Sequence, residues 1–498
     1  MPVFLCLAAA KEELAAHAAS LEALMSEYGA SAFDRTPTTL CGLFNPGKEL
    51  PCALVLQSLQ VDLAPFGIAL HVGAYERLGQ RLLGAELTRT HAIARTAWGG
   101  QILLTPEYLA AMPLPPEAAL KPLGMHFLSN LAPPSQLYQL RHPALRNESF
   151  PPLRSLSYCP NNLHVQPHMF VGRTQELETL KEILGAPETR LLTLTGPGGI
   201  GKTRLALQLA AETVREFPQG VFFISCEALP SAAVLPSTMA QALQLPMSGR
   251  MDPHSHVLNQ LRRRAALLVL DNYDSLLPDT AFLTELLAQA PRVKLLVTSR
   301  EPLNLRCEYL YPLGGLQYPR HDVPQEVAHF ETFDAVQFFF LSALHTDPLF
   351  TVTEDTREAL VSICELTEGL PLGLELAATA VSAFSCPEIA QKMAQGLEFL
   401  KATRREIAPR HHNLRAAFEF TWQQLDAAER GAFTRCAVFR GSFSETAAQV
   451  VADADPASLQ ALVRKSMVMP IQPQMYKLHS LLRHFAAEQL RLAPGLQE

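Results

Sequence analysis

Residues 195–203 read TGPGGIGKT. They fit G-x-x-x-x-G-K-[ST], with Gly196, Gly201, Lys202 and Thr203 at the fixed positions. The apolar run RLLTLT (190–195) precedes them and reads as a buried strand. RLALQLAAETVREF follows, with Leu205, Leu209 and Val214 at helical spacing. A glycine-rich turn between a strand and a helix lets backbone N–H groups curl inward, where the helix N-terminus adds partial positive charge. The stretch from Gly196, Pro197, Gly198, Gly199, Ile200 and Gly201 to Lys202, Thr203 and Arg204 is therefore a candidate phosphate cradle. Lys202 is placed to reach the β- and γ-phosphates, and the Thr203 hydroxyl to bind Mg²⁺.

The chain has 498 residues, room for about three domains. It is 48% hydrophobic and 18% charged, which fits a globular chain and excludes a disordered one. A net charge of −7 argues against sequence-independent nucleic-acid binding by the whole chain. The nine cysteines include no C-x-x-C pair, so their spacing gives no zinc site, and the count suits a reducing cytoplasm. The opening MPVFLCLAAAKEE lacks a basic n-region and reads as a buried first strand. No run of 18 apolar residues exists, so no membrane span is expected.

Pro and polar residues concentrate over 131–168, which reads as a linker, with its core at 146–168. From 169 to 320 the strand candidates RLLTLT, GVFFISC (220–226), ALLVLD (266–271) and KLLVTS (294–299) alternate with helical patterns. That alternation predicts a parallel sheet covered on both faces. Residues 321–408 read as helical, and 409–490 as helical with a short β-like pair before a final helix.

The third strand candidate ends in Asp271, expected beside the phosphate loop as a Mg²⁺ holder. The next residue is Asn272, which cannot accept a proton. Hydrolysis is then expected to be slow unless Asp274 substitutes. Arg300, after the fourth strand, is placed to read a γ-phosphate. Its alternative is a surface ion pair.

FVGRTQELETL (170–180), the phosphate loop, LLVLDNYDSLL, LLVTSRE and EGLPLGLELAA (368–378) occur in this order. Together they resemble the signal-transduction ATPases with numerous domains, in the NB-ARC-like branch of bacterial regulators, over about 160–490. The resemblance implies a P-loop NTPase domain, a helical domain and a winged-helix domain. It implies an adenine site at Val171, Gly172, Arg173 and Pro371. It also implies that His479, in YKLHSLLRHFA, touches the β-phosphate of ADP; the alternative is a packing histidine. The family normally adds a sensor array of helical repeats, which does not follow before Glu498.

Residues 66–107 with 120–140 resemble the class III nucleotidyl cyclase domain, over about 1–145, which implies a ferredoxin-like core. Cyclase chemistry needs two carboxylates on two metal ions. The matching positions hold Ala8 and Thr38, and the transition-state positions hold Thr88 and Ala92. The domain is thus expected to be a pseudo-cyclase that binds a partner, dimerises or senses a ligand. Arg89 and Arg95 read as a solvated helix face. The cluster LRRR (261–264) reads as a helix C-terminus, and RREIAPRHHNLR (404–415) as a solvated junction.

The multidomain α/β chain is therefore expected to be a cytoplasmic switch, closed with ADP and open with ATP and Mg²⁺. Self-association on activation and an unidentified protein partner or effector go with that reading. The alternatives are an ATP-hydrolysing enzyme and a DNA-binding regulator acting through the winged helix, the latter unsupported by the charge.

Overall fold

A computed structural model describes residues 2–58, 66–145, 149–166, 168–227, 229–246, 252–322, 327–395, 414–423, 425–465, 467–472 and 474–492. The basic stretch 404–413, with the 409–412 junction, lies outside them; only Leu414 and Arg415 of that cluster fall within. Two compact units are present: Met1–Phe170 with Leu207–Phe222, and Val171–Ala206 with Phe223–Glu498.

The first unit is built on a sheet of seven strands, β1 Val3–Ala8, β2 Ala30–Thr36, β3 Thr39–Phe44, β4 Gly67–Val72, β7 Ile102–Leu104, β8 Ala119–His126 and β9 Ser135–Arg141, in the order β2-β3-β1-β4-β7-β9-β8. A separate hairpin joins β5 Glu76–Leu78 and β6 Arg81–Leu83. Helices Lys11–Glu27 and Glu49–Ser58 follow β1 and β3, and β1 pairs antiparallel with both β3 and β4. This is the β-α-β-β-α-β arrangement of ferredoxin-like cores. Alternate residues of β1 serve two cores: Val3, Leu5 and Leu7 face one, Phe4 and Cys6 the other. Burial on both faces explains why the opening reads as a continuous apolar run.

Two expectations change here. The Pro-rich stretch from 131 contains a strand of the sheet, β9, and beyond it Leu153 and Leu156 are buried, with Arg154 N–H donating to Thr96 O at 3.0 Å. Arg89 and Arg95 are not a solvated face. Arg89 meets Glu86 and Glu107, each at 3.3 Å, and donates to Ser135 Oγ at 3.0 Å, while Arg95 donates to Thr36 Oγ1 at 3.3 Å. Helical spacing marks which residues share a face but not what packs on it.

The sheet of the nucleotide-loop domain has the order β11-β12-β13-β10-β14, with β10 Leu191–Thr195, β11 Val221–Ser225, β12 Leu267–Asp271, β13 Lys294–Ser299 and β14 Glu308–Pro312. The pairings of β10 with β13 and β14, and of β12 with β13, are parallel. All four predicted strands form. β12 does not neighbour β10, because β13 is inserted between them; chain order does not dictate sheet order when helices supply the crossovers. β14 was not anticipated, since its residues EYLYP are half-buried to exposed and lack an apolar run.

Helices Asp334–Thr346, Glu354–Thr367, Pro371–Thr379 and Cys386–Gln395 come next. Further helices, Leu414–Gln423, Ala427–Arg435, Glu445–Ala452, Pro456–Arg464 and Ser480–Leu492, accompany three short strands, β15 Ser442–Ser444, β16 Met469–Gln472 and β17 Met475–Lys477, in the order β15-β17-β16. Helix Ala427–Arg435 starts in a capping box between Asp426 and Glu429. Among the described residues no helix is long and apolar enough to cross a membrane.

Candidate functional site

The loop between β10 and helix Lys202–Thr213 turns through positive φ at Gly196 (151°), Gly199 (81°) and Gly201 (95°). Side chains rarely adopt these angles, and at Gly199 a Cβ would fall 2.8 Å from Leu372 Cβ. Lys202 is buried, and its Nζ donates to the carbonyls of Gly196 (2.7 Å) and Pro197 (3.1 Å). Thr203 Oγ1 donates to Asp271 Oδ1 at 2.6 Å, so the hydroxyl and carboxylate suited to one Mg²⁺ lie together. Asp271 is 4% exposed and accepts also from Thr298 Oγ1 (2.7 Å) and Asn272 Nδ2 (2.9 Å). The inserted β13 thus carries the residue that fixes the carboxylate.

Asp274, the expected substitute base, is engaged elsewhere. Its Oδ1 accepts from Arg300 N–H (2.5 Å) and Ser299 Oγ (3.1 Å), tying the turn after β12 to the end of β13. The Arg300 guanidinium donates to Thr421 Oγ1 and lies 3.9 Å from Asp274. It joins the sheet edge to helix Leu414–Gln423 rather than standing as a surface ion pair.

The segment before the first helix of this unit closes over the loop. Gly172 (φ 69°) and Arg173 (φ 61°) turn the chain, and Arg173 N–H donates to Asp334 Oδ2 at 2.8 Å. The Arg173 side chain is 4% exposed and binds Ile200 O (3.1 Å), Gly314 O (2.8 Å) and Glu176 Oε1 (2.9 Å). Val171 beside it is half-buried. Pro371 opens its helix at the first position, where its missing N–H costs nothing, and Leu372 N–H donates to Gly199 O at 3.3 Å. Arg204 is half-buried; burial pulls its pKa down, with Glu375 opposing.

His479 is 5% exposed. Its Nδ1 accepts from Leu481 N–H at 3.1 Å, which leaves the proton of the neutral ring on Nε2. Nε2 is a buried nitrogen that makes no hydrogen bond of good geometry among the described residues, with the Thr367 backbone close enough to act on the ring. Burial lowers the pKa of the ring; Glu368 and the Thr367 backbone pull it up, and Lys477 pulls it down. Lys477 Nζ donates to Glu368 Oε2 at 2.9 Å, joining β17 to the turn between helices Glu354–Thr367 and Pro371–Thr379. The sequence reading did not single out Thr298, Asp334, Glu368 or Lys477. Each acts across a long sequence separation that no local pattern encodes.

The loop, the strand order and the Thr203–Asp271 pair define a P-loop ATPase domain, and the family model described as AAA domain matches residues 187–299. The chain is 33% identical over 318 residues to "Putative HTH-type transcriptional regulator Rv0890c" of Mycobacterium tuberculosis, covering 61% of this chain and 34% of that one. It is 28% identical over 342 residues to "Regulatory protein AfsR" of Streptomyces griseus, covering 64% and 32%. It thus spans about a third of the length of these regulators. With "Uncharacterized protein Rv0894" of Mycobacterium tuberculosis it shares 30% identity over 283 residues, 57% of this chain and 68% of the other, and it belongs to that protein's family.

Replacing Arg173 with lysine keeps the charge but removes the fork whose Nη2 holds two carbonyls while its Nη1 holds Glu176. Each charged hydrogen bond of this kind is worth roughly 1.5–3 kcal/mol. Arg173→Lys is expected to lower both the melting temperature and the affinity for ADP, measured by thermal unfolding and calorimetry. Wild-type values for both would show that the fork is not needed.

Proposed function

We propose that this chain is a nucleotide-dependent regulatory switch, closed on ADP and opened by exchange to ATP with Mg²⁺. The observation that carries the reading is the chain of bonds from the phosphate loop to the C-terminal strands. Gly199 O accepts from Leu372 N–H, Glu368 lies just ahead of that helix, Lys477 bonds Glu368, and His479 follows two residues later with a buried ring nitrogen that makes no well-formed hydrogen bond. A buried N–H with only a weak backbone partner leaves free energy that a phosphate oxygen can recover. The 409–490 region, read as a winged helix, then acts as the latch. The glycine cradle, Lys202 and the Thr203–Asp271 pair suit a Mg²⁺-nucleotide, which supplies the differential contacts a switch needs. Asn272 after Asp271 offers no base, and Asp274 is held by Arg300 and Ser299, which supports a slow timer over a fast hydrolase. The names of the Rv0890c and AfsR relatives favour a regulatory output.

The N-terminal unit is read as a catalytically dead cyclase-like module. Ala8 pairs with Thr39, and Ala9 N–H donates to Thr38 O at 3.1 Å, so the two positions matched to metal-holding aspartates are neighbours and neither is acidic. The full chain with ATP or GTP and Mg²⁺ or Mn²⁺ is expected to yield no cyclic nucleotide. Turnover above a no-enzyme control contradicts this.

Lys202→Ala is expected to abolish binding. ADP at 100 times its dissociation constant stabilises the wild type by roughly 2.7 kcal/mol, a melting shift that the variant should lack; equal shifts defeat the assignment.

His479→Ala is expected to release ADP faster without opening the switch outright, because one such bond falls short of the roughly 5.5 kcal/mol that moves a population from 1:99 to 99:1. The pH dependence carries a sign. Burial depresses the His479 pKa, so the stability it contributes is present above about pH 6.5 and falls as the pH drops further. A bound phosphate favours the imidazolium instead. ADP should therefore leave the wild type more slowly below about pH 6.5 than above it, a difference missing in His479→Ala. Matching profiles in stopped-flow measurements reduce His479 to a packing residue.

A further inference from the structure

In the first unit, far from the residues of the phosphate loop in sequence, two cysteines meet across the sheet. Cys6 of β1 and Cys41 of β3 are directly opposed in register, and both are essentially unexposed. His91, on helix Ala85–Thr96, enters the same cluster from the helix layer, with its Nδ1 3.3 Å from Cys6 Sγ. One ligand atom from each of the three side chains lies within 4.8 Å of the others. His91 Nε2 meets Asp34 Oδ2 at 3.0 Å, which fixes the ring so that Nδ1 faces the sulfurs. The Thr39 hydroxyl lies 2.7 Å from that same nitrogen.

We propose that Cys6, Cys41 and His91 Nδ1 bind a zinc ion, with Asp34 orienting the histidine and the Thr39 hydroxyl beside the fourth position. Zinc takes sulfur at about 2.3 Å and imidazole nitrogen at about 2.0–2.1 Å, which puts those atoms about 3.5 Å apart across a tetrahedral ion. The observed 3.3 Å is close to that separation. Binding releases two protons to solvent, one from Cys41 and one held between Cys6 and His91, and two thiolates with Zn²⁺ sum to zero charge. Neutrality matters because an unpaired charge is costly at a site with no exposure. A carboxylate on the far nitrogen of a ligating histidine is the usual outer support of a zinc site. Among the described residues this is the one gathering of three such ligand side chains; the buried Cys52, Cys159, Cys226, Cys364, Cys386 and Cys436 belong to none. The ion would pin the adjacent central strands β1 and β3 to helix Ala85–Thr96.

The test uses the full untagged chain, reduced, dialysed with zinc and then freed of loose metal. Mass spectrometry is expected to find one zinc per chain, and a chelator to lower the melting temperature reversibly. Replacement by Co²⁺ should give a thiolate-to-metal charge-transfer band, which the oxygen ligands of the phosphate loop cannot produce. Cys41→Ser should lose the metal and the band, while Cys52→Ser should keep both. Asp34→Asn leaves the three ligands in place and should weaken zinc binding roughly 10–100-fold; with the wild-type cobalt spectrum it decides the matter if Cys41→Ser fails to fold. A chain that retains no zinc, cobalt bound without the thiolate band, or isolation as a metal-free Cys6–Cys41 disulfide would each overturn the site.

Discussion

Backbone N–H groups must stay uncovered and converge on one point for the phosphate loop to function, and much of the second unit serves that constraint. Side chains at Gly199 or Gly201 would force the loop out of its positive-φ turns. The loop therefore has little side-chain surface with which to anchor itself. It is held from outside: by Arg173 on Ile200 O, by Leu372 N–H on Gly199 O, and by Lys202 folding back onto the carbonyls of Gly196 and Pro197. Asp271, fixed by Thr298 and Asn272, supplies the negative side of the same site.

What was legible in the sequence was local. The phosphate loop and the four apolar strands depend on neighbours a few residues away, and short-range pattern records such neighbours. What was missed depends on partners far along the chain. The position of β13 between β10 and β12 follows from crossovers. β14 is a half-polar edge strand whose pairing with β10 leaves little apolar signature. β9 was obscured by the prolines around it, although Ser135–Arg141 itself contains none. Asp274 and Arg300 were singled out by position, but their observed bonds, to Ser299, Thr421 and each other, tie elements together.

The Cys6–Cys41–His91 cluster makes the same point for chemistry. Short-range cysteine spacing finds metal sites built on a single loop or hairpin turn. Here the sheet register aligns two strand cysteines, and a helix supplies the histidine. Such ligands are invisible to spacing rules until the register is known.

The inserted strand has one more consequence. Successive residues at the end of β13 serve two different neighbours: Thr298 holds the carboxylate of Asp271, and Ser299 with Arg300 holds Asp274, while Arg300 reaches Thr421. A strand hydrogen-bonded on both sides is stiff along its length, so its tip behaves as a rigid coupling rod. Displacing that tip where Arg300 meets Thr421 would shift the Asp271 carboxylate in the same stroke. The placing of the Asp271 carboxylate and the seating of helix Leu414–Gln423 are then coupled through one strand tip.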